Sequence, residues 1–254
     1  MSHYIAFIRK ELLESIRTYK LLIMLLVFFA FGVMNPLIAK LTPDLLNALM
    51  SEGISITLAE PSAFDSWTQF FKNITQMGVI VMVIVFSGLL GTELSKGTLI
   101  NMLTKGLSRA AVILSKYTCM VLIWTASVVI SFLVTWGYTV YLFPGDKVVN
   151  LLFSVFCIWL FGVFLSALLL FAATLTKSNY GCLLITGAGV VICTLCNIIP
   201  DAYKYNPLSL AANNMNLITN TMAVSSLYDC VWITGILSFA MIAASVLIFR
   251  KKQL

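Results

Sequence analysis

The sequence predicts an all-α integral membrane protein with six transmembrane helices in a single domain over residues 1–254. Hydrophobic residues make up 60% of the chain and charged residues only 10%. Apolar stretches recur along it, and most reach the ~20 residues with which a helix crosses the hydrocarbon core. The six stretches are 21–39, 77–90 with an extension back toward 70, 117–143, 148–175, 180–199 and 231–249.

The charged residues between these stretches are unevenly distributed. If the stretches cross a membrane alternately, the side with both termini holds twelve basic and three acidic residues, a net charge of +9. The other side holds four basic and seven acidic residues, a net charge of −3. Because cytoplasmic loops are enriched in Lys and Arg, both termini are expected in the cytoplasm, in a multi-pass protein of the cell (plasma) membrane. The basic balance therefore needs no nucleic-acid partner to explain it.

The segments outside the stretches have distinct patterns. Residues 1–20 predict an amphipathic helix at the cytoplasmic interface, either a passive anchor or a contact for a cytoplasmic partner. Its apolar positions recur at helical spacing: Ile5, Ile8, Leu12, Ile16 and Tyr19. Residues 40–69 and 200–229 are expected to be extracellular loops. Asn35 and Pro36 predict a kink or an early end of the first span, because proline removes one backbone donor.

The loop of residues 92–116 is the most informative segment. An acidic residue is followed by Gly-Thr-Leu, a second leucine, a Ser-Arg pair and a lysine that enters the third stretch: Glu93, Gly97, Thr98, Leu99, Leu103, Ser108, Arg109 and Lys116. This order resembles the cytoplasmic segment of type-2 ATP-binding-cassette (ABC) permeases, although Gly106-Leu107 replaces the usual proline before Ser-Arg. The resemblance extends over the whole chain through the N-terminal helix with Arg17, the six spans and the cytoplasmic ends.

The resemblance implies the membrane half of an ATP-driven transporter. A short coupling helix in the loop between spans two and three would dock on a separate ABC ATPase subunit. The implied partners are two such ATPase subunits and a second permease copy, in a homodimer or with a similar permease, within membrane lipid. The residues that the resemblance assigns to ATPase coupling are Glu93, Lys96, Gly97, Thr98, Leu99, Leu103, Arg109 and Arg17.

Several function classes are disfavoured by what the sequence lacks. It has no G-x-x-x-x-G-K-[ST] phosphate loop, so ATP and Mg²⁺ are expected on the partner ATPase, with no cofactor or metal held here. The spans carry no deeply placed charged residue, which weakens the case for an ion-coupled carrier. The only histidine is His3, and no catalytic set can be assembled around it. The chain is therefore expected to be a transport subunit without catalytic residues.

Polar residues inside the spans leave two interpretations open. Ser127, Ser131 and Thr135 share one face of the third span, at i, i+4 and i+8. They could pack this helix against a neighbour, or they could line a weakly polar passage. Cys193 and Cys196 have C-x-x-C spacing, which could indicate redox chemistry, although buried cysteines commonly act as small hydrophobic residues.

The neutral, apolar spans favour export of a hydrophobic or amphipathic substrate. Within the family that the chain resembles, a compact permease of this kind is similar to those that export antimicrobial or cytolytic peptides and lipophilic drugs, as in multidrug resistance. The alternatives are an ion-exporting permease and a non-transporting membrane scaffold or signalling partner. The sequence does not name the substrate.

Overall fold

Within the part of the chain that the structure describes, six helices are long and apolar enough to cross a membrane, which confirms the predicted all-α membrane fold. The computed structural model describes residues 2–49, 60–91, 93, 108–146, 148–176, 178–199 and 201–251. Over these ranges the chain contains no strand. The spans are Lys20–Leu49, Ala63–Asn73 continued by Ile74–Gly78 and Val79–Phe86, Arg109–Leu142, Leu151–Leu175, Asn179–Cys196 and Tyr228–Lys251.

The first three spans are longer than their apolar stretches. The first does not end early: it remains helical through Pro36 and Pro43 to Leu49. The second begins at Ala63, so Trp67 belongs to a spanning helix and not to a loop. Hydropathy alone misplaces such ends, since the polar residues that begin or end a span are satisfied there by local hydrogen bonds.

The second span contains one turn of π-helix, Ile74–Gly78. Such a turn widens the helix by one residue and is frequent at functional sites. Gly78, at the end of this turn, faces the ring of Phe28 in the first span, and a Cβ there would lie 2.8 Å from Phe28 Cζ. The glycine therefore permits the first and second spans to approach closely.

The N-terminal helix Ser2–Arg17 lies against the third span, and the elbow after it contains Tyr19 in the left-handed region, at φ 59°. Its buried positions are Phe7, Glu11 and Ser15. The predicted apolar positions Ile5, Ile16 and Tyr19 are exposed. Because this exposed stripe is available to the membrane surface, the interfacial location remains the prediction for this helix.

The centre of the bundle is built around Trp124 of the third span, which is fully buried. Its indole lies on Gly162 of the fourth span, where a Cβ would come within 2.1 Å of Trp124 Cε2. The indole Nε1 donates to the carbonyl of Trp159 at 3.0 Å. Phe28 packs edge-on against Trp124, with the ring centroids 5.5 Å apart. Because it has no side chain, Gly162 permits the fourth span to pack closely against Trp124 of the third.

Short helices join the fifth and sixth spans, Ser209–Ala212 and Asn214–Ile218, which pack against the fourth span. Asn206 ties this segment down, since its Nδ2 donates to the Cys193 carbonyl at 2.5 Å and to Asn197 Oδ1 at 2.7 Å. The segment lies at the end of the bundle opposite the N-terminal helix. This end is called the distal end below. The end with the N-terminal helix is called the termini end.

Candidate functional site

Four charged side chains form a cluster at the termini end, where the N-terminal helix meets the second and third spans. Lys116 Nζ lies 3.0 Å from both oxygens of Glu11 and 2.7 Å from Glu93 Oε2. Lys10 Nζ lies 2.6 Å from Glu93 Oε1 and 3.0 Å from Glu11 Oε1. Lys116, Glu11 and Glu93 are 1%, 3% and 6% exposed. Buried charges of this kind are tolerated because each has partners of opposite sign.

Burial and ion pairs act in opposite directions on the pKa values of Glu93 and Lys10. Burial alone would raise the pKa of Glu93, but the Lys116 and Lys10 ammonium groups hold it below the ordinary value. Burial alone would lower the pKa of Lys10, but its bonds to Glu14 and Glu93 raise it. The carboxylates of Glu11, Glu14 and Glu93 lie close enough together to bind a metal ion, yet the Lys10 ammonium already contacts all three. The cluster is therefore a set of ion pairs at neutral pH.

Arg109, the first residue of the third span, reaches the end of the sixth. Its Nη1 donates to the carbonyls of Phe249 and Arg250 at 3.1 and 2.9 Å. The last carbonyls of a helix have no partner within the helix and carry partial negative charge, so a guanidinium stabilises them. Ser108 caps the N-terminus of the third span, since its Oγ accepts from the amide of Ala111 at 3.2 Å.

The structure describes three of the residues predicted for ATPase coupling. Glu93 and Arg109 make the contacts given above, and Arg17, the last residue of the N-terminal helix, is exposed. The remaining coupling residues lie outside the described residues, as does most of the predicted coupling helix: Lys96, Gly97, Thr98, Leu99 and Leu103. Their contact with an ATPase stays a prediction.

The family follows once this arrangement is combined with a comparison over the whole sequence. The profile of the ABC-2 family transporter proteins matches residues 5–252. The chain belongs to the ABC-2 transporter family. It is therefore a multi-pass ABC-2 permease, and members of this family are membrane transport subunits that associate with ABC ATPase subunits. No curated protein matches the chain significantly.

Sequence reasoning missed Lys10 of the permease as a partner of Glu93, and Glu11 as a partner of Lys116. Glu11 is four residues from the buried Phe7 and Ser15, so it lies on the face that packs against the third span. A charged residue on a buried helix face requires a partner of opposite charge, so the position of Glu11 was the signal in the sequence. The sequence does not identify the partner, because that depends on how distant segments pack.

Thr135 belongs to a polar network across the first three spans, inside the membrane region. Pro36 has no N–H to donate to the Gly32 carbonyl, and Thr135 Oγ1 donates to that carbonyl instead, at 3.3 Å. Asn35 Nδ2 donates to Thr135 Oγ1 at 3.2 Å, and Asn73 Nδ2 donates to Asn35 Oδ1 at 2.7 Å. This replacement donor explains why the first span continues past its proline.

Ser127 and Ser131, the other members of the predicted face, are both fully buried. Ser127 Oγ donates to the carbonyl of Ile123 in its own helix, at 2.8 Å. Ser131 Oγ has no hydrogen-bond partner among the described residues. Within this one chain all three residues of the face are covered by protein, so contact with a substrate would require the helices to separate.

The two cysteines of the C-x-x-C pattern are both free thiols and partly exposed. The Cys193 carbonyl, and not its sulfur, makes the contact that holds the distal segment, to Asn206. The described contacts therefore assign Cys193 a backbone role.

Proposed function

We propose that this protein is the membrane-spanning permease of an ABC exporter and that the ion cluster transmits movement from the ATPase subunit to the spans. The observation that carries the proposal is the position of Glu93. It follows the second span, begins the segment that resembles a coupling helix, and is paired with both the N-terminal helix and the third span through Lys10 and Lys116.

The contacts support a mechanical role in the following way. A helix seated in a moving partner displaces the elements to which it is rigidly attached. Ion pairs join Glu93 to the N-terminal helix and the third span, and Arg109 joins the far side of the same loop to the sixth span. A displacement of residues 94–107 would therefore move the second, third and sixth spans together with the N-terminal helix.

The substrate is proposed to be hydrophobic or amphipathic, such as a peptide, toxin or drug-like compound. The spans support this choice because their exposed residues are predominantly apolar, as at Leu184 and Phe239, which are 74% exposed. The +9 charge of the termini side supports cytoplasmic ends. Two permease copies, identical or similar, would enclose the route, with ATP and Mg²⁺ bound by the ATPase partners. Thr135 and its neighbours on the third span would line the route only in a state with separated helices.

Glu93→Gln tests the proposal in the complex of permease and ATPase. The amide keeps the shape of the side chain but loses the charge that pairs with Lys10 and Lys116. ATP hydrolysis should continue while substrate moved per ATP falls. Glu14→Gln is the matched control, because among the described residues Glu14 forms an ion pair only with Lys10, and its side chain is 37% exposed.

The measurements are complex yield on size exclusion, ATPase rate and uptake into inverted vesicles. The control should retain transport per ATP close to that of the wild type. Unchanged transport per ATP in Glu93→Gln, with a normal yield, would exclude the coupling role.

A further inference from the structure

A cavity of about 280 Å³ opens at the distal end, between the second, third and fourth spans. Its lining includes Trp67, Trp136, Phe143 and Asp146. Trp67 is 2% exposed and held in the core, whereas Trp136 is 52% exposed. Thr139, also in the lining, is fixed to Ser66 by a hydroxyl contact of 2.7 Å. The cavity therefore has one rigid aromatic wall and one aromatic wall at the surface.

Among the described residues beside this cavity, two carboxylates meet at one helix end. Asp146 Oδ2 accepts from the amide of Ala63, the first residue of the second span, at 2.9 Å. Asp65 already serves the same helix end, since its Oδ2 accepts from Ser62 N and Oγ at 2.9 Å. A helix N-terminus carries only about half a positive charge, so two carboxylates exceed it. Lys147 lies outside the described residues.

We propose that this cavity binds a monovalent amphipathic cation, with its apolar group between Trp67 and Trp136 and its ammonium toward Asp146. The aromatic walls would bury the apolar group, and the Asp146 carboxylate would attract the ammonium by a direct charge interaction. The volume is at the lower limit of small-molecule sites, so it selects a group the size of a substituted benzene ring and not a whole peptide. The site is independent of whether the cation is also transported, so the permease alone suffices to test it.

The experiment is a ligand-observed NMR titration of the permease in nanodiscs of zwitterionic lipid. The probe is benzyltrimethylammonium, and 2-methyl-1-phenyl-2-propanol is the neutral compound of similar shape. Asp146→Asn retains an oxygen that can accept from Ala63 and removes only the charge. It should weaken binding of the cation about fivefold, the contribution of one exposed ion pair, and leave binding of the alcohol unchanged.

Asp65→Asn is the matched control, because Asp65 is at the same helix end but does not line the cavity. The affinity of this variant for the cation should equal that of the wild type. Trp136→Ala should weaken binding of both compounds, since it removes the exposed aromatic wall. Equal losses in Asp146→Asn and Asp65→Asn would overturn the site in favour of general surface charge. Binding no stronger than to empty nanodiscs, or unchanged in Asp146→Asn or Trp136→Ala, would also overturn it.

Discussion

Replacing Thr135 with valine removes one hydroxyl from the centre of the polar network at nearly constant volume. The hydroxyl donates to the Gly32 carbonyl and accepts from Asn35 Nδ2. Pro36 prevents the first span from supplying its own donor to Gly32. The valine variant therefore leaves a backbone carbonyl and a side-chain amide without these partners in a fully buried position.

The expected destabilisation follows from these two contacts. Hydrogen bonds between membrane helices contribute ~0.6 kcal/mol each on average, with a maximum near 1.7. A buried polar group left without a partner costs about 1–3 kcal/mol. The free energy of unfolding should therefore fall by about 1–3 kcal/mol, with the larger values reached if the first span cannot adjust near Pro36.

Two matched variants separate this effect from a general sensitivity of the third span. Thr135→Ser keeps the hydroxyl and should recover most of the stability. Ser131→Ala removes a hydroxyl without a partner among the described residues, so its free energy of unfolding should stay within ~0.5 kcal/mol of the wild type. Unfolding is measured by SDS titration in mixed micelles. If Thr135→Val unfolds at the same SDS fraction as Ser131→Ala, the network does not support the first span and the reasoning is refuted.

Two further outcomes are expected. Gly162→Ala places a Cβ within 2.1 Å of the Trp124 indole and should destabilise the purified permease by about 1–3 kcal/mol in thermal unfolding. A Cβ at Gly187 would have nothing within 4 Å, so Gly187→Ala should not destabilise the permease. Equal melting temperatures for Gly162→Ala and Gly187→Ala would contradict the close-approach argument. The stability that Glu93 contributes is fully present above its ordinary pKa of 4.5 and is lost as the pH falls through its lowered pKa in the folded protein. The stability that Lys10 contributes is fully present below its ordinary pKa of 10.5 and is lost as the pH rises through its raised pKa in the folded protein. Glu93→Gln should therefore flatten the acid limb of a stability profile against pH, and an unchanged acid limb would show that this carboxylate does not titrate with unfolding.

The sequence by itself determined the fold class, since the six apolar stretches and the low content of charged residues can be recognised without knowing how the helices pack. The residues from Glu93 to Lys116 also carried a resemblance to the family, and the profile match over residues 5–252 confirms that family. The ends of the spans were less accurate. Pro36 was expected to kink or end the first helix, and a hydroxyl from another helix allowed it to continue.

The tertiary structure alone decided which polar groups meet. Only packing brings Glu11 within hydrogen-bond distance of Lys116, which lies 105 positions further along the chain. The same holds for Asn35 and Thr135, which are 100 positions apart. Hydropathy does not separate the packed face of a span from its exposed face, because lipid and protein interior are about equally apolar. Charged and hydroxyl groups reveal the packed face only when their partners are known, since each must be paired where water is excluded.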